Sequence, residues 1–515
     1  MTGKRELAKS TAVVSAGIAV SRVLGFIRDV LLARFFGIGI SAQAFVMAFT
    51  LPNSLRHLVA EGAVNTALVP LLTEYKTKKS KAEFWHFTNV LFNLFAVVLL
   101  FIAIAGVLAA PLLVRIIAPG FIRNPDKLAL TIALMRMVFP YVFLVGLTAY
   151  CIGVLHTFKH FTAPAFSSAV LNLALLAGIL AFYPFVNIAY LGYAVLIGGI
   201  LQIAFQLPPL LKKGPFFNFK AGFINEGAKR FWKLLLPRMA GAGIYQINII
   251  VDRMLASLAF IGEGAVAALY YGNRLFQLPL ALFSVAMVTT ALPAMSSHVI
   301  EKNIDKLKET VAFSLKNMLF FSMPASAGLI VLSRPIIKVL FERNEFTPHA
   351  TDITSAVLLF YAIGLTAYGG VKILVAVFHS MQDTRTPVKT AFLALISNVI
   401  LNLILMAPLK AGGLALATSI SGFIHFGFLF RLLRKKIGPF GERELLNFFL
   451  KILSASLIMA LFAYALMRGV RWDGGIKDIL SLILIICFSM MLYLCVSLIL
   501  KVKRARALFS WIKRP

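Results

Sequence analysis

Apolar residues lie along this chain in long blocks, without the alternation that a membrane β-barrel would show. Fourteen such blocks can be read, at roughly 10–34, 43–73, 85–114, 128–156, 163–183, 187–211, 229–259, 265–296, 312–331, 352–378, 388–407, 411–434, 446–468 and 477–501. About 20 helical residues cross a hydrocarbon core of about 30 Å, so each block is long enough to span. Backbone polar groups in lipid must be satisfied internally, and helices do this within one segment. The pattern predicts an all-α polytopic membrane protein of about fourteen transmembrane helices.

Polar residues between the blocks set an orientation. One alternate set of connections carries Lys4, Arg5 and Lys9, then Lys76, Lys78, Lys79 and Lys81, then Lys212, Lys213, Lys220, Lys229 and Arg230, and continues in this way to the basic tail. The opposite set is nearly uncharged around 35–42, 184–190 and 259–264, with mixed charges at 334–352 and 468–478. The positive-inside rule then puts both termini in the cytoplasm. Composition agrees: 60% of the 515 residues are hydrophobic and 14% charged. The net charge of +31 sits mostly at helix ends, so it is topological in part and does not point to nucleic acid. Cys151, Cys487 and Cys495 all fall inside apolar blocks, which argues against a disulfide framework or a zinc site. The start of the chain lacks the pattern of a removable signal peptide.

The chain repeats itself. Asp29 and Asp252, His156 and His379, and Pro70 and Pro293 are each 223 residues apart, and Leu-Asn-Leu recurs at 171–173 and 401–403 with a longer offset. This predicts two pseudo-symmetric six-helix lobes, 1–222 and 223–445, related as parallel repeats. Residues 446–515 add two helices and a basic tail with no counterpart.

Charges inside spans are costly and usually face a cavity or one another. Arg22, Arg28 and Asp29 lie midway along the first block, with Arg22 and Asp29 about two turns apart on one face. The second block holds Pro52, Asn53, Arg56, His57 and Glu61, where the proline bends the helix and His57 and Glu61 are one turn apart. The eighth block carries Arg274 ahead of Pro279. The bland reading is that the arginines snorkel to the headgroups and that His57 and Glu61 satisfy each other. The functional one is that Arg22, Arg28, Arg56 and Arg274 line one cationic cavity suited to a phosphate or pyrophosphate. Asp252 and Asp383 could supply oxygens to a coupling Na⁺; the alternative is that Asp252 neutralises Arg253 and that Asp383 is a loop residue near Arg385. No phosphate-cradling Gly-rich loop, zinc helix or aspartate cluster supports catalysis.

Ser-Arg-Val-Leu-Gly-Phe-Ile-Arg-Asp at 21–29, Leu-Pro-Asn-Ser-Leu-Arg at 51–56, Ala-Glu-Gly-Ala at 60–63, Val-Pro-Leu-Leu-Thr-Glu-Tyr at 69–75 and Tyr-Tyr-Gly-Asn-Arg-Leu at 270–275 resemble the MurJ (MviN) lipid II flippase family, over essentially the whole chain. The resemblance implies the fold of the multidrug/oligosaccharidyl-lipid/polysaccharide (MOP) exporters, two lobes around a cationic cavity, and a groove for the polyprenyl tail on the last two spans. It implies that Arg22, Arg28, Arg56 and Arg274 meet lipid II, while Asp29, Glu61 and Asn53 orient them or gate. It also implies a bacterial inner-membrane transporter, not an enzyme, driven by membrane potential or a coupling Na⁺ or H⁺, working among membrane lipids and cell-wall enzymes. Gln43 and Asn273 stand where the family commonly has acidic residues. The competing readings are a flippase for another polyprenyl-linked oligosaccharide, a cation-coupled drug antiporter, a scaffold for cell-wall enzymes and a magnesium-dependent transferase.

Overall fold

The computed structural model describes residues 2–59, 64–181, 187–219, 222 and 226–506. These residues form helices and connections with no strand among them. Two compact units, Met1–Ala259 and Phe260–Pro515, divide the chain.

In the first unit the helices are α1 (Thr2–Phe36), α2 (Ile40–Ala48), α3 (Thr50–Leu58), α4 (Val64–Lys78), α5 (Lys81–Leu108), α6 (Ala110–Ile117), α7 (Pro125–Val138), α8 (Tyr141–Thr157), α9 (Thr162–Leu180), α10 (Ile188–Leu211) and α11 (Glu226–Ala256). The second has α12 (Ala265–Pro279), α13 (Ala286–Ile300), α14 (Ile304–Val331), α15 (Ser333–Phe341), α16 (Pro348–Ile363), α17 (Leu365–Ser380), α18 (Arg385–Ile437), α19 (Glu442–Arg468) and α20 (Ile476–Ile499). Eight helices among the described residues are long and apolar enough to cross a membrane, or ten with each of two bent pairs taken as one span. Helix α18 is two helices joined at a kink where Lys410 takes φ 52°. With α18 divided, and with the more polar α1 and α11 and the run from α2 to α4 included, the structure is consistent with fourteen spans.

The 223-residue register holds element by element. Helices α5 and α14 are each 28 residues long and start at Lys81 and Ile304, and each is followed by a short helix, α6 or α15. It holds for side chains too: Gln202 donates to the Ser167 carbonyl at 3.0 Å, and their counterparts His425 and Thr390 are 3.2 Å apart. In this register Asn172 corresponds to Leu395, so the Leu-Asn-Leu recurrence does not belong to the repeat.

Several predicted boundaries shift. The second block is broken at Phe49, between α2 and α3, three residues before the expected bend at Pro52; residues 60–63, between α3 and α4, lie outside the described residues. That proline lies in the first turn of α3, where a missing N–H costs nothing. The compact units divide after Ala259, because α11 packs on α3, α4, α5 and α6. A buried aromatic cluster ties these helices together: Phe95 meets Phe231 edge-on, and Tyr75 stacks on Phe87 with ring centres 3.9 Å apart. The linker before α11 is held by two buried amides of α5. Asn89 donates to the Pro215 carbonyl and accepts from the Asn218 N–H, and Asn93 donates towards the carbonyls of Asn218, Phe219 and Gly222.

In the second unit, α19 packs on α14 and α20 on α19. The Tyr493 hydroxyl of α20 donates to the Phe320 carbonyl of α14 at 2.7 Å, among Met323, Ile452, Ala455 and Met459. Arg504 covers the Phe313 ring at 3.9 Å and donates to Asn317, and Lys316 pairs with Glu444 at 2.9 Å.

Helix α1 lies against α9 because Gly17 leaves room for it. A Cβ there would sit 2.5 Å from the Ala165 carbonyl oxygen, which is backbone and cannot turn aside. Gly17→Val is expected to destabilise the protein by about 1–3 kcal/mol, as overpacking does, and to lower the melting temperature in detergent. An unchanged melting curve would refute this account of the α1–α9 contact.

Candidate functional site

The first predicted cluster forms where α1 meets α9. Arg28 and Asp29 are both buried, and the Arg28 guanidinium reaches back to its neighbour, with Nε 3.1 Å and Nη2 2.7 Å from Asp29 Oδ1. Its Nη1 donates to Asn172 Oδ1 of α9 at 2.8 Å. Asn172 is fixed in turn, because its amide nitrogen donates to the Ser21 carbonyl at 3.0 Å. Gly25 leaves space for that amide, since a Cβ there would meet it at 3.4 Å. A buried ion pair recovers its desolvation cost only with good geometry and further hydrogen bonds, and Asn172 provides one of them. Arg22 is exposed, whereas Asp29, expected on the same face, is turned inward with Arg28.

The second cluster lies on α3. Arg56 Nε donates to Asn53 Oδ1 at 3.1 Å, one turn back, and Nη2 is 3.0 Å from His57 Nε2. A guanidinium only donates, so the imidazole nitrogen is the acceptor in this contact. Glu61 lies outside the described residues, and so does its expected pairing with His57. Helix α11 joins this cluster: Arg253 Nη1 donates to Thr50 Oγ1 at 2.6 Å, and Asp252, buried beside it, accepts from Asn248 at 3.2 Å. Lys127 donates to the amide oxygen of the buried Gln43 at 3.0 Å.

In the second unit Arg274 is exposed on α12 and packs over the Tyr270 ring, with a 3.4 Å contact to the Tyr270 hydroxyl. Asn273 accepts from Gln277, the next turn of the same helix. Pro279 ends this helix, and a π-helical segment, Leu280–Val285, follows it.

Asp383 lies in the turn between α17 and α18, two residues before Arg385. Lys436 donates to Oδ2 at 2.6 Å, the Thr386 hydroxyl to Oδ2 at 2.8 Å and the Thr386 N–H to Oδ1 at 3.0 Å. The carboxylate thus caps the start of α18 and pairs with the Lys436 ammonium. Among the described residues no three His, Cys, Asp or Glu side chains gather to hold a metal ion.

Asn172, Thr50, Asn248 and Tyr270 were not singled out from sequence. An amide in the middle of an apolar helix such as α9 is the signal that would have marked Asn172.

A helical membrane fold with guanidinium groups placed along broken and bent spans defines a polytopic transporter, not an enzyme. The model of the lipid II flippase MurJ family matches residues 32–485. The chain is 34% identical over 442 residues to the probable lipid II flippase MurJ of Vibrio cholerae, covering 84% of this chain and 83% of that one. It is 30% identical over 474 residues to the lipid II flippase MurJ of Burkholderia cenocepacia, covering 91% and 92%. A solved lipid II flippase MurJ in an inward closed conformation superposes with a TM-score of 0.80 at 29% identity, over 97% of this chain and all of that one. An inward-facing multidrug resistance MATE transporter of the MOP superfamily shares the fold, with a TM-score of 0.70 at 15% identity over 82% and 96% of the two chains. The chain belongs to the MurJ lipid II flippase family.

Two outcomes follow from these contacts. Asp29→Ala leaves Arg28 buried without its counter-charge and is expected to cost about 3–5 kcal/mol, against about 1–3 kcal/mol for Asn172→Ala, as read by thermal unfolding in one detergent. Equal losses would show that the ion pair is not the dominant contact. Asp383 is held at a pKa of about 2, below its ordinary 3.8, chiefly by the Lys436 hydrogen bond and also by Thr386. A depressed carboxylate stabilises the fold above its unfolded pKa and loses that effect as pH falls through the folded one. The melting-temperature gap between wild type and Asp383→Asn is therefore expected to be full above about pH 4 and to close towards pH 2. A gap independent of pH would contradict the pairing.

Proposed function

We propose that this chain moves lipid II from the cytoplasmic to the outer leaflet of a bacterial inner membrane by alternating access, with both termini cytoplasmic. The observation that carries this reading is the set of arginines inside its spans: Arg28 buried on Asp29 and Asn172, Arg22 exposed one and a half turns before it, Arg56 on the short α3, and Arg274 exposed on α12. Guanidinium groups in a medium of low dielectric suit a pyrophosphate and repel the cations that a drug antiporter would select.

In this reading the four arginines are the groups that meet the pyrophosphate head. The pyrophosphate competes with Asp29 for Arg28, so the ion pair sets how strongly the head is held. Asn53 keeps the Arg56 guanidinium extended by occupying its Nε. The polyprenyl tail stays in lipid along α19 and α20, where Leu461, Phe488 and Met491 are exposed. Release on the far side is assisted by membrane potential, worth about 2.3 kcal/mol per charge per 100 mV.

In a bacterium depleted of its own flippase, this chain is expected to make labelled lipid II accessible to an enzyme added outside. Arg22→Ala, Arg56→Ala and Arg274→Ala, inserted at wild-type levels, should each cut the rate roughly 10- to 100-fold, the loss of one charge-assisted hydrogen bond or more. Normal flipping by all three variants would overturn this mechanism.

A further inference from the structure

A recess of about 770 Å³ opens between α9 and α10 at their basic end. Apolar side chains of both helices form its wall, among them Val170, Leu201 and Phe205, and its rim carries His160, Lys212 and Lys213. Lys76 lies close enough to feel the charges of Lys159 and Lys213, and among the described residues no carboxylate lines the recess.

The repeat shows what this arrangement lacks. In the second unit the position of Lys213 is taken by Lys436 and that of His160 by Asp383. The local backbone is the same in both turns: Lys159 and Gln382 take φ of 57° and 59°, and the N–H groups of His160 and Asp383 reach back to Leu155 and Phe378 at 3.0 and 2.9 Å. There the Asp383 carboxylate accepts from Lys436 and from the first turn of α18. In the first unit the lysine and the helix start remain, Phe161 gives α9 no side-chain cap, and a histidine replaces the acid. Burial and the Lys213 charge hold the His160 imidazole below its ordinary pKa, as expected where a cationic site has no anion of its own.

We propose that this recess is a binding site for one anionic phospholipid, whose phosphate takes the place that Asp383 fills in the other half. The acyl chain lies along Val170, Leu201 and Phe205, and the phosphate faces His160, Lys212 and Lys213. The occupant is a lipid and not a soluble phosphate because the wall beneath the basic rim is apolar and open. Phosphate held at this point bridges the start of α9 to the end of α10, as the carboxylate bridges the two parts of α18. Such a lipid would be a resident of the fold, separate from the transported one.

The test uses the whole purified chain, with phosphatidylglycerol and phosphatidylcholine as probes. Phosphatidylglycerol is expected to raise the melting temperature and to remain bound, one per chain, in native mass spectrometry, whereas phosphatidylcholine does neither. The double variant Lys212→Ala/Lys213→Ala should lose roughly 30-fold in affinity, from about 1 kcal/mol per lysine near an anionic lipid. His160→Asp supplies the missing carboxylate internally. It should abolish the phosphatidylglycerol shift while melting, without lipid, no lower than wild type. An equal response to both lipids, retention of the shift in His160→Asp, or displacement of the bound lipid by stoichiometric undecaprenyl pyrophosphate would overturn the proposal.

Discussion

A positive charge that cannot reach water needs a partner built into the fold, and this requirement organises the first half of the protein. Arg28 is long enough to snorkel from a less central position, yet it turns back onto Asp29 and across to Asn172. The bond to Asn172 demands that α1 and α9 lie close, and Gly17 and Gly25 make that approach possible. The glycines, the amide and the ion pair therefore form one unit: removing any of them leaves the others either crowded or unpaired. The contacts of Arg28 with Asp29 and Asn172 are charge-assisted hydrogen bonds, the kind a guanidinium can also make to other anionic oxygens.

The duplicated architecture adds a second theme, in which equal backbones carry unequal chemistry. The turn after α8 and the turn after α17 share their positive φ and their hydrogen-bond pattern, but one carries His160 and the other Asp383. The paired contacts Gln202 with Ser167 and His425 with Thr390 show the same conservation of place with a change of residue. Duplication thus preserves the packing frame and leaves the polar positions free to diverge.

Much of this was legible in the sequence, for physical reasons that can be named. Lipid imposes long apolar blocks, so the helical class was readable directly, and the 223-residue spacing of Asp29 with Asp252 and His156 with His379 gave the repeat its register. Asn172 did not stand out, because its partner is 144 residues away and a local motif match had assigned it to a different register. The break at Phe49 carries no proline or glycine of its own, and the nearby Pro52 drew the expected bend to itself. Repeat symmetry placed α11 with the second half, whereas its aromatic face packs in the first.

The two amides of α5 that hold the linker have a consequence for how a fused duplicate stays coherent. Asn89 and Asn93 bind successive backbone groups from Pro215 to Gly222, so the joint between the repeats is laced onto the first repeat before α11 begins. The stretch 215–219 thereby counts as part of the first repeat's packing, and its mooring depends on two amide side chains of a single helix.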